Sequence, residues 1–194
     1  MSQIGYYSAH AEEYSRATRA LDMSSLYERF LCKLPRDAHI LDAGCGSGRD
    51  TKAFLEMGYT VAAFDGSAQM AQLASAYTGQ RCQVLRFQDM DFQQEFDGVW
   101  ACASILHVPK REIEDVLSRF VKALKPGGFI FLSVIEGEGE RVSTEGRLYN
   151  SYLEGALTEL LLSLSTVEEI ECWKSYFSLD RRAPWLNVLF KKVS

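Results

Sequence analysis

Much of what this chain of 194 residues tells lies in what it lacks. No apolar run approaches the ~20 residues that a membrane-crossing helix requires, so no membrane association is expected. The opening MSQIGYYSAHAEEYSR has no basic-then-apolar layout of a secretory leader, and a cytoplasmic location is expected. The five cysteines, Cys32, Cys45, Cys82, Cys102 and Cys172, are odd in number and scattered, with no CxxC pair. That disfavours a disulfide framework and a zinc site alike, and no metal is expected. Positive charge is not in excess either: 21 Lys and Arg against 26 Asp and Glu leave −5, no field for a nucleic acid. Repeats and low-complexity tracts are missing. A chain that is 47% hydrophobic and 24% charged is an ordinary globular one, long enough for a single domain with its own core.

What is present is alternation. Two helical segments open the chain, one around Gln3 to Arg19 and one about Ser24 to Leu34, the latter with a capping box at Ser25 and Glu28 and a stop before Pro35. HILDA is a short buried strand, RDTKAFLEMG a helix closed by Gly58, and YTVAAFD a second strand. SAQMAQLASAY is a helix capped by Ser67. CQVLRF and FDGVWACAS are further strands, and apolar residues at helical spacing from Ile113 to Leu124 predict a helix over 111–124. After the turn Lys125-Pro126-Gly127 comes the strand GGFIFLSVI.

Strands separated by helices imply βαβ crossovers and a mostly parallel sheet covered on both faces. The tail differs. YNSYLEGALTELLLSL predicts a helix, and TVEEIECWKSYF with APWLNVLFKKV predicts an antiparallel strand pair at one side of the sheet. The expected fold is α/β, Rossmann-like and doubly wound, with a mostly parallel seven-stranded sheet and an antiparallel strand near the C-terminus.

HILDAGCGSGRDT places Gly44, Gly46 and Gly48 directly after the first strand. Glycine is costly in conformational entropy, and three at alternate positions exceed what a turn needs. In a doubly wound sheet the loop after the first strand borders the ligand crevice, and bare backbone there lets a ligand approach. The spacing is not the dinucleotide GxGxxG, since the third glycine comes one position early and Arg49 stands where it belongs; nor does a Gly-Lys-Ser/Thr follow. The pattern is acid-x-Gly-x-Gly-x-Gly, beginning at Asp42.

From about residue 38 to 136 these elements, in this order, resemble the class I S-adenosylmethionine-dependent methyltransferases. The resemblance implies S-adenosyl-L-methionine as cofactor, with Asp42, Gly44, Cys45, Gly46 and Gly48 in the loop against its methionyl and ribose portions. Asp65, which ends the second strand, would take the ribose hydroxyls, with Gly66 beside it; a carboxylate accepts two hydroxyl protons at once. Asp89 in RFQDMDF would accept from the adenine amino group, with Asp91 as its competitor and the Met90 amide as a partner for the ring. Met70 stands either against the adenine face or in the core. In ACASILHVP, the backbone of Ala103 and Ser104 would line the methionyl end.

Methyl transfer is an in-line displacement, so positioning and exclusion of water carry much of it. His107 is the candidate catalytic base where the acceptor arrives protonated; satisfying local backbone groups is its alternative role. Residues 1–36 are expected to form a helical lid, 37–136 a cofactor-binding core, and 137–194 an acceptor-side loop, helix and strand pair. Tyr7 and Tyr14 on the lid are candidates for closing over substrate and cofactor, and Arg16 or Arg19 for the cofactor carboxylate. The polar, glycine-rich EGEGERVSTEGRLYN is expected to be a loop offering Arg141, Arg147 and Tyr149 to the acceptor.

A nearer resemblance is to small bacterial methyltransferases of the tellurite-resistance type, which share a Gly-Cys-Gly-x-Gly-Arg loop. The Asn/Asp-Pro-Pro-Tyr motif of enzymes acting on exocyclic nitrogens is missing, and ASIL stands in its place. A small-molecule or metalloid acceptor is the expectation, with a non-catalytic module binding S-adenosylmethionine or S-adenosylhomocysteine as the alternative. A nicotinamide-dependent oxidoreductase shares the general fold but not the glycine spacing.

Overall fold

The computed structural model describes residues 3–164, 166–176 and 184–193. Its centre is a sheet buried on both faces, because successive strand residues point to opposite sides and both kinds are apolar. Ile40, Trp100, Phe131 and Leu189 pack on one face with Leu26 and Phe30 of α3 (Ser24–Leu31) and Phe54 of α4 (Arg49–Glu56). Leu41, Val99, Ile130 and Val188 pack on the other, with α6 (Ile113–Ala123) and α7 (Glu154–Leu162).

The strands run in the order β3 (Gln83–Val84), β2 (Thr60–Asp65), β1 (His39–Ala43), β4 (Phe96–Ala101) and β5 (Leu124–Glu136), all parallel. β9 (Trp185–Lys192) then pairs antiparallel with β5, and β8 (Val167–Ser175) antiparallel with β9. The expected strand pair of the tail is therefore present. Strand order reverses between β1 and β4, which opens a crevice beyond their C-terminal ends.

Several expectations need correction. The first helix is two, α1 (Gln3–Ala9) and α2 (Ala11–Arg19), divided at His10, whose φ of −116° and ψ of 18° leave helical values. No Ser25–Glu28 capping box forms. Instead the Asp22 carboxylate accepts the Ser24 amide at 2.9 Å, and Met23 occupies the N-cap. α3 is core rather than lid, with Phe30 fully buried; the cover over the crevice is α1 and α2. α5 (Ala68–Thr78) is capped as expected, the Ser67 hydroxyl accepting the Met70 amide.

The largest correction concerns the polar segment after β5. It is a hairpin, β6 (Glu140–Val142) against β7 (Leu148–Tyr152), and the following helix begins only at Glu154. β5 runs on after β4 has ended, which leaves an open edge at Ile135 and Glu136. Ser151 and Tyr152 of β7 pair with it in parallel. The strands β3, β2, β1, β4, β5, β9 and β8 make up the expected seven, and among the described residues the hairpin adds two more, which stand over the crevice. Among the described residues no helix is long and apolar enough to cross a membrane.

Candidate functional site

The glycines after β1 do different work. Gly44 has φ +78°, and a Cβ there would lie 2.6 Å from Ser104 Cβ, so the loop after β1 and the loop after β4 touch only because that side chain is missing. Gly46, at φ +53°, has nothing within 4 Å of where a Cβ would be: its bare face opens onto a cavity. Gly48 starts α4 in the left-handed region and lies against Ala74 and Thr78 of α5. The loop is held from beneath, as the amides of Gly44 and Cys45 both donate to the Phe64 carbonyl at 3.0 and 2.9 Å.

Asp65 ties this loop to the next. Its carboxylate accepts the Gly46 amide at 3.0 Å and the Ser67 amide at 2.8 Å. Burial pushes its carboxyl above the usual range, and the two amides oppose that shift. The oxygens keep free lone pairs facing a cavity of about 360 Å³, lined also by Gly46, Gly66, Met70, Phe87 and Gln88. That volume is in the range of small-ligand sites.

A second chamber of about 630 Å³ adjoins it. Tyr7, Tyr14, Gly44, Gly46, Ala103 and His107 line both, and so mark where the two meet. Ala103 holds φ +51°, a costly value for a residue with a side chain, and its amide donates to Ser133 Oγ at 2.8 Å. Arg49 reaches the second chamber from α4. Asp50 holds the guanidinium at 2.6 and 2.9 Å and also accepts the Tyr27 hydroxyl and the Trp100 indole N–H. The partners of Asp50 keep its carboxyl below the usual range despite burial. Burial pushes the neighbouring Cys102 thiol up to about 12, which leaves it unreactive.

His107 follows β4 on a short 3-10 turn, Ile105–His107. Its Nδ1 is 2.6 Å from the Leu148 carbonyl of the β6–β7 hairpin. A carbonyl only accepts, so Nδ1 carries the proton and Nε2 accepts from the Tyr7 hydroxyl at 2.7 Å. Burial lowers the imidazole pKa to about 4 and raises that of the Tyr7 phenol, so both are neutral around pH 7. Burial also pushes Tyr14 up to about 12; its ring meets that of Tyr7 edge-on at 5.2 Å. α1 is pinned over the site by Tyr7, by Ser8 on Ser67 at 3.1 Å, and by Tyr6 beneath the Arg147 guanidinium at 4.1 Å.

Residues 40–128, from β1 into β5, match a family model described as a methyltransferase domain. A solved structure of Burkholderia thailandensis 1,6-didemethyltoxoflavin-N1-methyltransferase, holding 1,6-didemethyltoxoflavin and S-adenosylhomocysteine, is 25% identical with a TM-score of 0.78, over 98% of this chain and 85% of that one. Over residues 40–128, somewhat less than half of its length, the chain is similar to a methyltransferase domain, and over nearly all of its length to that N1-methyltransferase. Curated ubiquinone biosynthesis O-methyltransferases match about half of the chain. The protein from Coxiella burnetii is 28% identical over 103 residues and that from Idiomarina loihiensis 33% over 103. Each match takes in 50% of this chain but 43% and 42% of the relative, so the likeness is to less than half of those proteins.

That N1-methyltransferase structure holds S-adenosylhomocysteine, and the crevice of this chain fits S-adenosylmethionine: an open glycine face, a carboxylate beyond it and a guanidinium past the loop. Of the residues expected there, Gly44, Gly46, Asp65, Gly66, Met70, Ala103, Ser104, Tyr7, Tyr14 and His107 line the first chamber. Cys45, Arg141, Arg147 and Tyr149 line the second. Asp42 does neither: it is buried beneath the loop and accepts the Thr51 hydroxyl. Gly48 packs α4 against α5 instead of facing a chamber. Asp89 is bound to Arg86 at 2.7 Å near the surface and lines neither chamber, while its neighbour Gln88 lines the first. The Met90 amide is already taken by the Phe87 carbonyl at 3.3 Å. Arg16 is exposed, and Arg19 donates to the Ser47 carbonyl at 2.9 Å and stacks on Tyr77, so neither lines a chamber. Arg49 lines it instead. The sequence offered one signal for Arg49, its place at the glycine-loop exit.

Proposed function

We propose that the chain transfers the methyl group of S-adenosylmethionine to a small molecule held in the second chamber. The observation that carries this reading is the junction: two chambers meet at the glycine loop, Ala103 and the Tyr7–His107 pair. An acceptor-sized space beside a nucleoside-sized one favours turnover over mere retention of the cofactor.

On this reading Asp65 accepts the ribose hydroxyls and the open face of Gly46 lies along the cofactor. Gln88 stands at the adenine edge, and Arg49, oriented by Asp50, receives the cofactor carboxylate. Charge-assisted pairing of that kind is strong and directional. His107 is the base. Because Tyr7 occupies Nε2, the acceptor's proton travels by way of the tyrosine hydroxyl, which yields its own proton to Nε2 as it takes the new one. α1 keeps water from the junction and must lift for ligands to enter.

The likeness to O-methyltransferases and to an N1-methyltransferase supports oxygen or nitrogen as the methylated atom. The tellurite-type likeness adds the case of a metalloid oxyanion, which the same experiment covers. Isotope-labelled S-adenosylmethionine is incubated with the protein and separate pools of phenols, heterocycles and tellurite. Labelled product that disappears with Asp65→Ala supports the reading, and no product from any pool contradicts it.

A further inference from the structure

The net charge of −5 contrasts with the charge of the second chamber. Three arginines line it, Arg49, Arg141 and Arg147, against the single carboxylate of Asp50. Asp50 is fully engaged by Arg49, Tyr27 and Trp100, so the other two guanidiniums face the space without it. Arg147 spends one nitrogen on the exposed carboxylate of Glu145 at 2.8 Å, but its Nε is buried and has no hydrogen-bond partner. Arg141 has no carboxylate partner among the described residues; it lies over the Tyr149 ring at 4.8 Å. Arg147 lies over the same ring at 5.3 Å.

Both guanidiniums thus lie over Tyr149, and that of Arg147 also over Tyr6 at 4.1 Å, on the hairpin that covers the crevice. Arginine in that setting recognises a planar anionic group with two oxygens, and two guanidiniums on one ring repel a cation. Tyr7, Tyr149, Trp185 and His107 add flat aromatic walls to the same chamber. Such walls suit a ring rather than a bare inorganic ion.

We infer that the acceptor is a small aromatic acid, its carboxylate or similar anion received by Arg141 and Arg147 and its proton-bearing heteroatom turned toward Tyr7 and His107. The inference rests on the second chamber being the acceptor site. It adds the charge and shape of what enters, and it excludes amines.

Three compounds that differ chiefly in charge test it: protocatechuate, an acid; catechol, uncharged; and dopamine, a cation. Each is titrated by calorimetry into the protein saturated with S-adenosylhomocysteine, alongside tellurite. Protocatechuate should bind about tenfold or more tighter than catechol, and dopamine should not bind. Arg141→Gln and Arg147→Gln should each remove about tenfold of the protocatechuate affinity while S-adenosylhomocysteine stays within about twofold. Arg141 is exposed on the hairpin, so its variant folds even if the other does not. Equal binding of acid and uncharged compound, preference for dopamine, tighter binding of tellurite than of protocatechuate, or an unaffected Arg141→Gln protein would each overturn the inference. If the unaltered protein does not bind S-adenosylhomocysteine, the proposed function fails; if it binds that molecule but shows no preference for the acid, only this inference fails.

Discussion

The Tyr7 hydroxyl donates to His107 Nε2 at 2.7 Å, across a separation of 100 residues. This bond ties the N-terminal cover to the loop after β4, and the Leu148 carbonyl fixes the imidazole from its other side. One contact therefore joins closure of the site to the protonation state of its proposed base. Replacing Tyr7 with Phe should leave the fold intact and lower kcat by roughly tenfold to a thousandfold, the scale of a lost proton-transfer partner. Steady-state rates beside a thermal melt check this; an unchanged kcat would remove Tyr7 from the proton path.

The same pair makes stability depend on pH. In the folded protein His107 titrates at about 4, below its ordinary value of 6.5. Between those two values the unfolded chain binds a proton that the folded protein refuses, so stability falls as pH is lowered through that window. Above pH 6.5 the contribution is fully present. It amounts to at most about 3 kcal/mol. Urea denaturation of the parent and His107→Gln proteins at several pH values should show a shallower acid slope in the variant.

Neighbouring glycines should respond differently to the same change. Gly44→Ala meets Ser104 at 2.6 Å and a left-handed backbone, so it should lose stability by more than the ~1–2 kcal/mol of the backbone term alone. Gly46→Ala meets only the backbone cost, because nothing lies within 4 Å. It should stay folded and lose affinity for S-adenosylhomocysteine, since the new methyl projects into the chamber. Melting curves and calorimetry on both variants separate the two outcomes.

Arg49 has a structural duty as well as its proposed role. Its removal strands Asp50 among Tyr27 and Trp100 without a counter-charge, and breaking a buried pair costs about 3–5 kcal/mol. Arg49→Met should therefore be strongly destabilised, and adding Asp50→Asn should recover part of the loss. Denaturant midpoints for the single and double variants supply the check; a single variant as stable as the parent would contradict the buried pair.

The parallel core was legible in the sequence because periodicity and caps agreed there, as at Ser67 before α5 and in the twofold alternation of Ile40 and Leu41. The β6–β7 hairpin was not legible, because its cause lies elsewhere: β5 outlasts β4, and a polar, glycine-rich segment pairs with the edge left open. A one-residue periodicity cannot show such a partner. At the site, Asp65 was marked by its place at a strand end. Asp42 carries the same signal, yet Thr51 and the strands around it bury the side chain. For Arg49 the only sequence signal is its place at the glycine-loop exit; packing shows that Tyr77 and Ser47 engage Arg19 while Asp50 holds Arg49, which lines the chamber.

Cofactor binding is the claim on which the rest depends, and titration calorimetry reads it directly. S-Adenosylhomocysteine should bind at about micromolar concentration, NAD should give no saturable heat, and Asp65→Ala should weaken binding by about tenfold to a hundredfold through lost charge-assisted hydrogen bonds. A natively folded protein that ignores S-adenosylhomocysteine at millimolar concentration, or that takes NAD in its place, contradicts the account.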